Sequence, residues 1–200
     1  MKTTIKILLF ILIFSSCKKN VRKINHVEFY YPNKEEFIEK DKYKLVDIKT
    51  FENYNALIDS VENLKYSSKQ TFLKLEDEKA TYNILASTFF GQDYPPIIKF
   101  KNILSISSDS ILKNSKYPID SLKIVLKRDL ENFGRNDSLS DSPKKLIVSI
   151  TTDLHNLENL IIKICSTFNE IKTTSTDSLQ LNLQLNKRLE IVPPPPKTLK

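Results

Sequence analysis

Two hundred residues with a formal net charge of +7 and only two glycines exclude a glycine-rich phosphate loop, because neither Gly91 nor Gly134 has a glycine neighbour. The basic surplus is spread along the chain and no basic stripe interleaves with aromatics, which argues against a nucleic-acid partner. The length is enough for one sizeable core or two small ones.

The chain opens with the basic stretch Met1 to Lys6, continues with the apolar run Ile7 to Phe14, and reaches Cys17 through Ser15-Ser16. That run is far too short to cross a hydrocarbon core about 30 Å thick. The ending Ser15-Ser16-Cys17-Lys18-Lys19 resembles a bacterial lipoprotein signal. The resemblance implies that residues 1–16 are removed and that Cys17 is acylated and becomes the first mature residue. Phe14 stands where that family usually has Leu. The implied location is the cell envelope, lipid-anchored to a membrane through acyl chains on Cys17 and facing the periplasm or the cell surface; the alternative is an uncleaved membrane anchor. Residues 17–25 read as a tether. Its basic residues would lie near anionic head groups, each worth about 1 kcal/mol. With Cys17 lipidated, only Cys165 remains, and no intramolecular disulfide can form.

His26 to Tyr31 alternates as a strand ended by Pro32, and Tyr43 to Ile48 is a second. From Phe51 the period lengthens: Phe51, Tyr54, Leu57, Ile58, Val61 and Leu64 fall at helical spacing. Alternation returns through Leu73 and Leu75. Tyr82, Leu85, Ala86, Phe89 and Phe90 then predict another helix face, with Gly91 as its C-terminal cap and Pro95-Pro96 as a break.

In the second half, Ile97 to Ile106 contains a strand, Ser107 to Ser110 is a turn cluster, and Ile111 to Tyr117 is a short strand. A helix beginning near Asp120 buries Leu122, Val125, Leu126, Leu130 and Phe133 and stops at Gly134. Arg135 to Pro143 is a polar loop, and Lys144 to Thr151 is a strand. Thr152 and Asp153 cap the next helix. Its face of Leu157, Leu160, Ile161, Ile164, Cys165, Phe168 and Ile171 is the best amphipathic pattern in the chain, and it makes Cys165 a buried thiol rather than a nucleophile. After a loop at Thr173 to Thr176, Leu179, Leu181, Leu183 and Leu185 alternate with Gln180, Asn182, Gln184 and Asn186. This strand has a leucine face for the helices and an amide face for water. Few charges guard it, so it is expected to pair with another strand, within the fold or across a dimer. Pro193 to Pro196 form a stiff extended segment in a tail at 191–200. That tail reads as solvated, or as a ligand for an aromatic groove.

The fold class is therefore α+β, with a strand-strand-helix-strand-helix-strand unit at 97–186. Its order and lengths, carried by Ile103 to Ile106, Leu122 to Leu130 and Leu146 to Ile171, resemble the periplasmic domain of the ExbD/TolR family. The resemblance sets a domain at 97–190 behind an N-terminal α+β region at 26–96. It implies a homodimer and contact with an envelope-spanning protein or with peptidoglycan. ExbD and TolR also carry a transmembrane helix with a proton-carrying Asp. The only long apolar run here, residues 7–14, holds no acid, so proton-driven activity is not implied. Residues 27–96 read as a degenerate second copy of the unit, because Leu73, Leu75 and the Tyr82 to Phe90 face superpose on Val148, Ile150 and the Leu157 to Cys165 face at an offset of 75 residues. The alternative is one mixed domain with irregular N-terminal additions.

No metal, cofactor or catalytic site is expected. Neither His26 nor His155 has a Cys or second His at ligand spacing. Asp153 and His155 are two apart on a helix and do not face each other, and no serine occupies a nucleophile elbow. Of the acidic clusters, Glu35-Glu36 and Glu76-Asp77-Glu78, the second is read as complementing a helix N-terminus. Phe29, Tyr30, Tyr31, Phe89 and Phe90 read as core. The functional expectation is a non-catalytic, lipid-anchored cell-envelope protein that binds another envelope component, either a protein or peptidoglycan. Two alternatives stand beside it: an envelope hydrolase with acidic catalytic residues spread over loops, and a surface lipoprotein of lineage-specific fold.

Overall fold

The structure is a computed structural model that describes residues 26–35, 42–66, 70–88, 99–175 and 178–187. Cys17, the signal segment, the tether, Phe89, Phe90, Gly91, Pro95-Pro96 and the proline-rich tail lie outside the described residues. The described residues are α+β, with nine strands in one sheet and three α-helices. In chain order they are β1 (Val27–Tyr31), β2 (Tyr43–Leu45), α1 (Tyr54–Tyr66), β3 (Gln70–Glu76), β4 (Ala80–Thr88), β5 (Ile103–Ile106), β6 (Ser110–Leu112), β7 (Lys116–Pro118), α2 (Leu122–Leu130), β8 (Ile147–Ile150), α3 (Leu154–Thr174) and β9 (Asn182–Leu185).

The strands lie in the order β2-β3-β4-β9-β8-β5-β6-β7, with β1 also beside β4. β4 joins the two halves. β3 occupies one of its edges, while β1 covers Ala80 to Ile84 and β9 covers Ala86 to Thr88 along the other. Strands β5, β8 and β9 are parallel and step in one direction across the sheet. Right-handed crossovers therefore put α2 and α3 on one face, where Lys123 and Glu170 pair at 2.9 Å. The β2-α1-β3 unit steps the opposite way with its strands reversed, so the same rule puts α1 on that face too. There Tyr54 Oη of α1 donates to Ile150 O of β8 at 2.9 Å, and desolvation pushes its phenol pKa up.

The ladder registers align Leu73 with Ile84, and Ala86 with Leu183, Val148 and Leu104, on the helix-covered face. They join Leu57, Ile58 and Val61 of α1, Val125 and Leu126 of α2 and the whole expected face of α3 in one core cluster. Each fully buried Val, Leu or Ile is worth about 1.5–3 kcal/mol, so this layer is the main driving force. Among the described residues no helix covers the opposite face. It carries Asn83, Leu85 and Ser87 of β4, Asn182 and Gln184 of β9, Ile147 and Ser149 of β8, and Ile103 and Ser105 of β5.

Several expectations are corrected. Tyr82, Leu85 and Ala86 belong to strand β4, not a helix. The buried side of β4 is Ala80, Tyr82, Ile84 and Ala86, a period of two, and Thr81 and Asn83 are buried behind it. A strand closed on both faces loses visible alternation, and its apolar residues then match helical spacing. The 75-residue superposition therefore sets strand β3 against strand β8, but strand β4 against helix α3. Ile111 to Tyr117 is two strands, β6 and β7, turned by a Lys113 N–H to Ser115 O bond. The second strand stops at Leu45, and the Asp47 side chain, accepting from Lys49 N, starts a 3₁₀ turn at Ile48–Thr50. Phe133 is not on the α2 stripe: it has left the helix with φ 46° and is 40% exposed. Lys144 and Lys145 close a 3₁₀ turn before β8 rather than forming its start, and α3 runs on to Thr174.

The closing strand pairs within the fold. β9 is interior, between β4 and β8, but it spans only Asn182–Leu185, with Leu179 and Leu181 ahead of it; all four leucines are buried. Its amides do not all face water, however, because Gln184 is only 6% exposed. Of the β1 aromatics, Phe29 stacks on Tyr82 and Tyr31 packs edge-on against Phe168, both toward the core. Tyr30 points the other way, to Glu28.

Candidate functional site

Two lysine-bearing turns meet on the helix-free face. The Phe100–Asn102 turn leads into β5 and the Pro143–Lys145 turn leads into β8. Because β5 and β8 are parallel and pair Ile103 with Ile147, the turns before them lie side by side. They rim a cavity of about 550 Å³ whose remaining wall is Ser87 of β4, Ile147 of β8, and Asn182, Leu183 and Gln184 of β9. That volume is within the usual range for small-molecule sites.

Lys99, Lys144, Lys145, Asn102 and Asp141 are the ionic and amide groups of the rim. Asp141 lies 2.6 Å from Lys101 Nζ and 3.3 Å from Lys99 Nζ. The Lys101 bond, helped by Lys99 and Asn102, holds its carboxyl at about 2. The carboxylate stays ionised and has no range as a general acid or base near neutral pH. Lys144 and Lys145 are exposed and have no acidic partner among the described residues. Three lining lysines, with Lys101 on Asp141 beside them, against one fixed carboxylate make the site cationic.

A buried polar network holds this rim. Asn102 Oδ1 accepts from Asp141 N at 2.8 Å and from Ser140 Oγ at 3.2 Å. Ser140 N donates to Asp129 Oδ1 at 2.8 Å. The other Asp129 oxygen is 2.8 Å from Lys113 Nζ, which also donates to the carbonyls of Lys101 and Ile103. Asn132 Nδ2 ties Asn136 O and Ser140 O, so the polar loop after α2 is pinned from within. On the other side, Asn182 Nδ2 donates to Lys144 O at 3.1 Å and Leu146 O at 3.0 Å, fixing the second lysine turn to β9. Gln184 lines the cavity, and its Oε1 is buried with no hydrogen-bond partner among the described residues.

The expected chemistry-bearing residues fall elsewhere. His26 Nε2 is 2.7 Å from Thr81 Oγ1 at the start of β1, and His155 is exposed on the first turn of α3. Cys165 is fully buried, and desolvation pushes its thiol pKa up. Glu76-Asp77-Glu78 is in the β3–β4 turn and not at a helix start: Asp77 Oδ1 accepts from Lys79 N and Ala80 N, and Oδ2 accepts from Tyr82 Oη. Those bonds lower its carboxyl pKa. Among the described residues no His, Cys, Asp and Glu group is arranged for a metal, and no helix is long and apolar enough to cross a membrane. A smaller cavity of about 320 Å³ between β1 and the end of α3 sets Glu28 and Glu35 against Lys34 and Lys172, so it has no charge preference.

Sequence reasoning singled out none of the cavity's ionic residues as a site. The pairs Lys99/Lys101 and Lys144/Lys145 are ordinary surface residues in isolation. No family model, curated protein or solved structure matches this chain.

Proposed function

We propose that the protein is a non-catalytic, lipid-anchored cell-envelope protein that holds another envelope component, a protein or peptidoglycan, in its lysine-rimmed cavity. One observation carries the binding half of this reading. The cavity is cationic, its acid Asp141 is locked in the ionised state by two lysines, and among the described residues no histidine, cysteine or second acid lines it. Such a site can hold and orient an anion. The anchoring half rests on the Ser15-Ser16-Cys17 ending and the basic tether behind it. The order β5, β6, β7, α2, β8, α3, β9 runs three strands, helix, strand, helix, strand, one strand more than the expected unit. From α2 onward it follows the order on which the likeness to ExbD/TolR periplasmic domains rests. In a homodimer of this chain the free sheet edges among the described residues would be β1, β2 and β7, because β9 is paired on both sides.

Cell fractionation and sedimentation test the reading. Wild-type protein is expected in the membrane fraction and Cys17→Ser in the soluble fraction, because more than one acyl chain is needed for stable attachment. Detergent-solubilised full-length protein should co-sediment with envelope material, and Lys144→Glu with Lys145→Glu should weaken that. Hydrolysis of envelope polymers by the purified chain would overturn the non-catalytic assignment.

A further inference from the structure

We propose that the cavity recognises the carboxylate end of an acylated amino acid or peptide, through Lys144 and Lys145 for the carboxylate and Gln184 for the amide N–H beside it. The inference deepens the binding reading above and rests on it.

Three features select this ligand class. The first is charge: Asp141 balances part of the Lys99 and Lys101 charge, while Lys144 and Lys145 have no such partner among the described residues. The second is the kind of donor. Phosphate sites favour clustered backbone N–H groups at helix N-termini or nests. Here Pro143 has no N–H, and those of Lys145 and Leu146 are spent on Ser142 O at 3.1 and 3.2 Å. The charged donors are flexible ammonium groups, and they suit a carboxylate as point charges. The third is the orphaned acceptor. Gln184 lines the cavity at 6% exposure, and its Oε1 is buried with no hydrogen-bond partner among the described residues. A buried acceptor of this kind costs free energy until a donor reaches it, and an amide N–H next to a carboxylate is such a donor. Ile147, on the helix-free face, supplies apolar wall.

Calorimetry on the full chain in detergent tests the proposal with three probes: N-acetyl-alanyl-alanine, its C-terminal amide, and the ester analogue in which lactate replaces the second alanine. The acid should bind saturably, and the C-terminal amide about tenfold more weakly, the loss of one charged hydrogen bond. The ester, which lacks the N–H, should also bind about tenfold more weakly to wild type, and as well as the acid to Gln184→Leu. Lys144→Ala with Lys145→Ala, both at exposed positions, should abolish the difference between acid and C-terminal amide, while Lys163→Ala on α3 should leave it intact. Equal binding of acid, C-terminal amide and ester would overturn the proposal. So would displacement of the peptide by inorganic phosphate at lower concentration than by acetate. Binding that emerges only when residues 89–98 are replaced would also overturn it, by showing that the chain's own segment holds the site. Release of Cys17→Ser from membranes without any peptide binding would sink this ligand and leave the envelope reading standing. Peptide binding by a chain that never fractionates with membranes would do the reverse.

Discussion

Lys113 Nζ of the β6–β7 turn lies 2.8 Å from Asp129 Oδ2 at the end of α2, with the two side chains 2% and 0% exposed. The pair joins the hairpin to the helix, and Asp129 also holds Ser140 in the loop that carries Asp141. Two charges this deeply buried contribute little net stability once their desolvation is counted. Removing one of them is a different matter, because the other is left unpaired.

Asp129→Ala should therefore destabilise the fold by about 3–5 kcal/mol. The double variant Lys113→Met with Asp129→Leu should be more stable than Asp129→Ala alone, since it leaves no orphaned charge. Urea unfolding at neutral pH reads both. A double variant less stable than the single would show that the pair contributes more than the relief of its own burial.

Asp141 gives a pH signature. Its carboxyl is held at about 2, against an ordinary 3.8, first by the hydrogen bond from Lys101. The folded value is below the unfolded one. The stabilisation is thus fully present above about 3.8 and is lost as the pH falls toward about 2. A carboxyl NMR titration should find Asp141 ionised at pH 3 or so, where ordinary aspartates are mostly protonated. Lys101→Ala should move its midpoint up toward the ordinary value. An Asp141 midpoint unchanged by that substitution would detach the carboxylate from its lysines.

How far the fold was legible followed from element length and sidedness. α1 and α3 each show several turns of one apolar face, and every apolar residue expected on the α3 face is buried. β9 was legible because its leucines alternate without interruption. β4 was not, because it is buried on both faces along Thr81 to Ile84, and Tyr82, Leu85 and Ala86 satisfy either period. The β6–β7 hairpin escaped because strands of three residues carry no period at all. The cavity was invisible for a topological reason: its two lysine turns are far apart in sequence, and only the parallel register of Ile103 with Ile147 brings them together.

Cys165 should be inert. It is 0% exposed on α3, its backbone carbonyl faces Tyr31 Oη at 3.5 Å, and burial disfavours the thiolate. In a Cys17→Ser background a polar maleimide should not label the native protein on the time scale on which it labels the unfolded chain. Cys165→Ala should cost about 1 kcal/mol. Fast native labelling would mean that the α3 face opens far more readily than its packing allows.

The two faces of β9 should respond differently to charge, and the amide face should respond unevenly along its length. Leu183 is 4% exposed and sits between Ala86 and Val148 in the ladder, so Leu183→Asp places an unpaired carboxylate in the core. The loss should be several kcal/mol, enough to unfold a marginal domain. Gln180 lies before the strand and is half-buried, and Gln180→Lys should stay within about 0.5 kcal/mol of wild type. Gln184 points to the same helix-free side as Asn182 but is closed to solvent and shares the cavity with Lys99, Lys144 and Lys145. A lysine there meets like charge as well as desolvation, so Gln184→Lys should cost about 1–3 kcal/mol. It should recover part of that loss in high salt, where the lysines repel less. Three urea titrations and one repeated in molar salt are sufficient. If Gln184→Lys is as silent as Gln180→Lys, the helix-free face at β9 is open to water, and both the orphaned carboxamide and the cavity it lines lose their meaning.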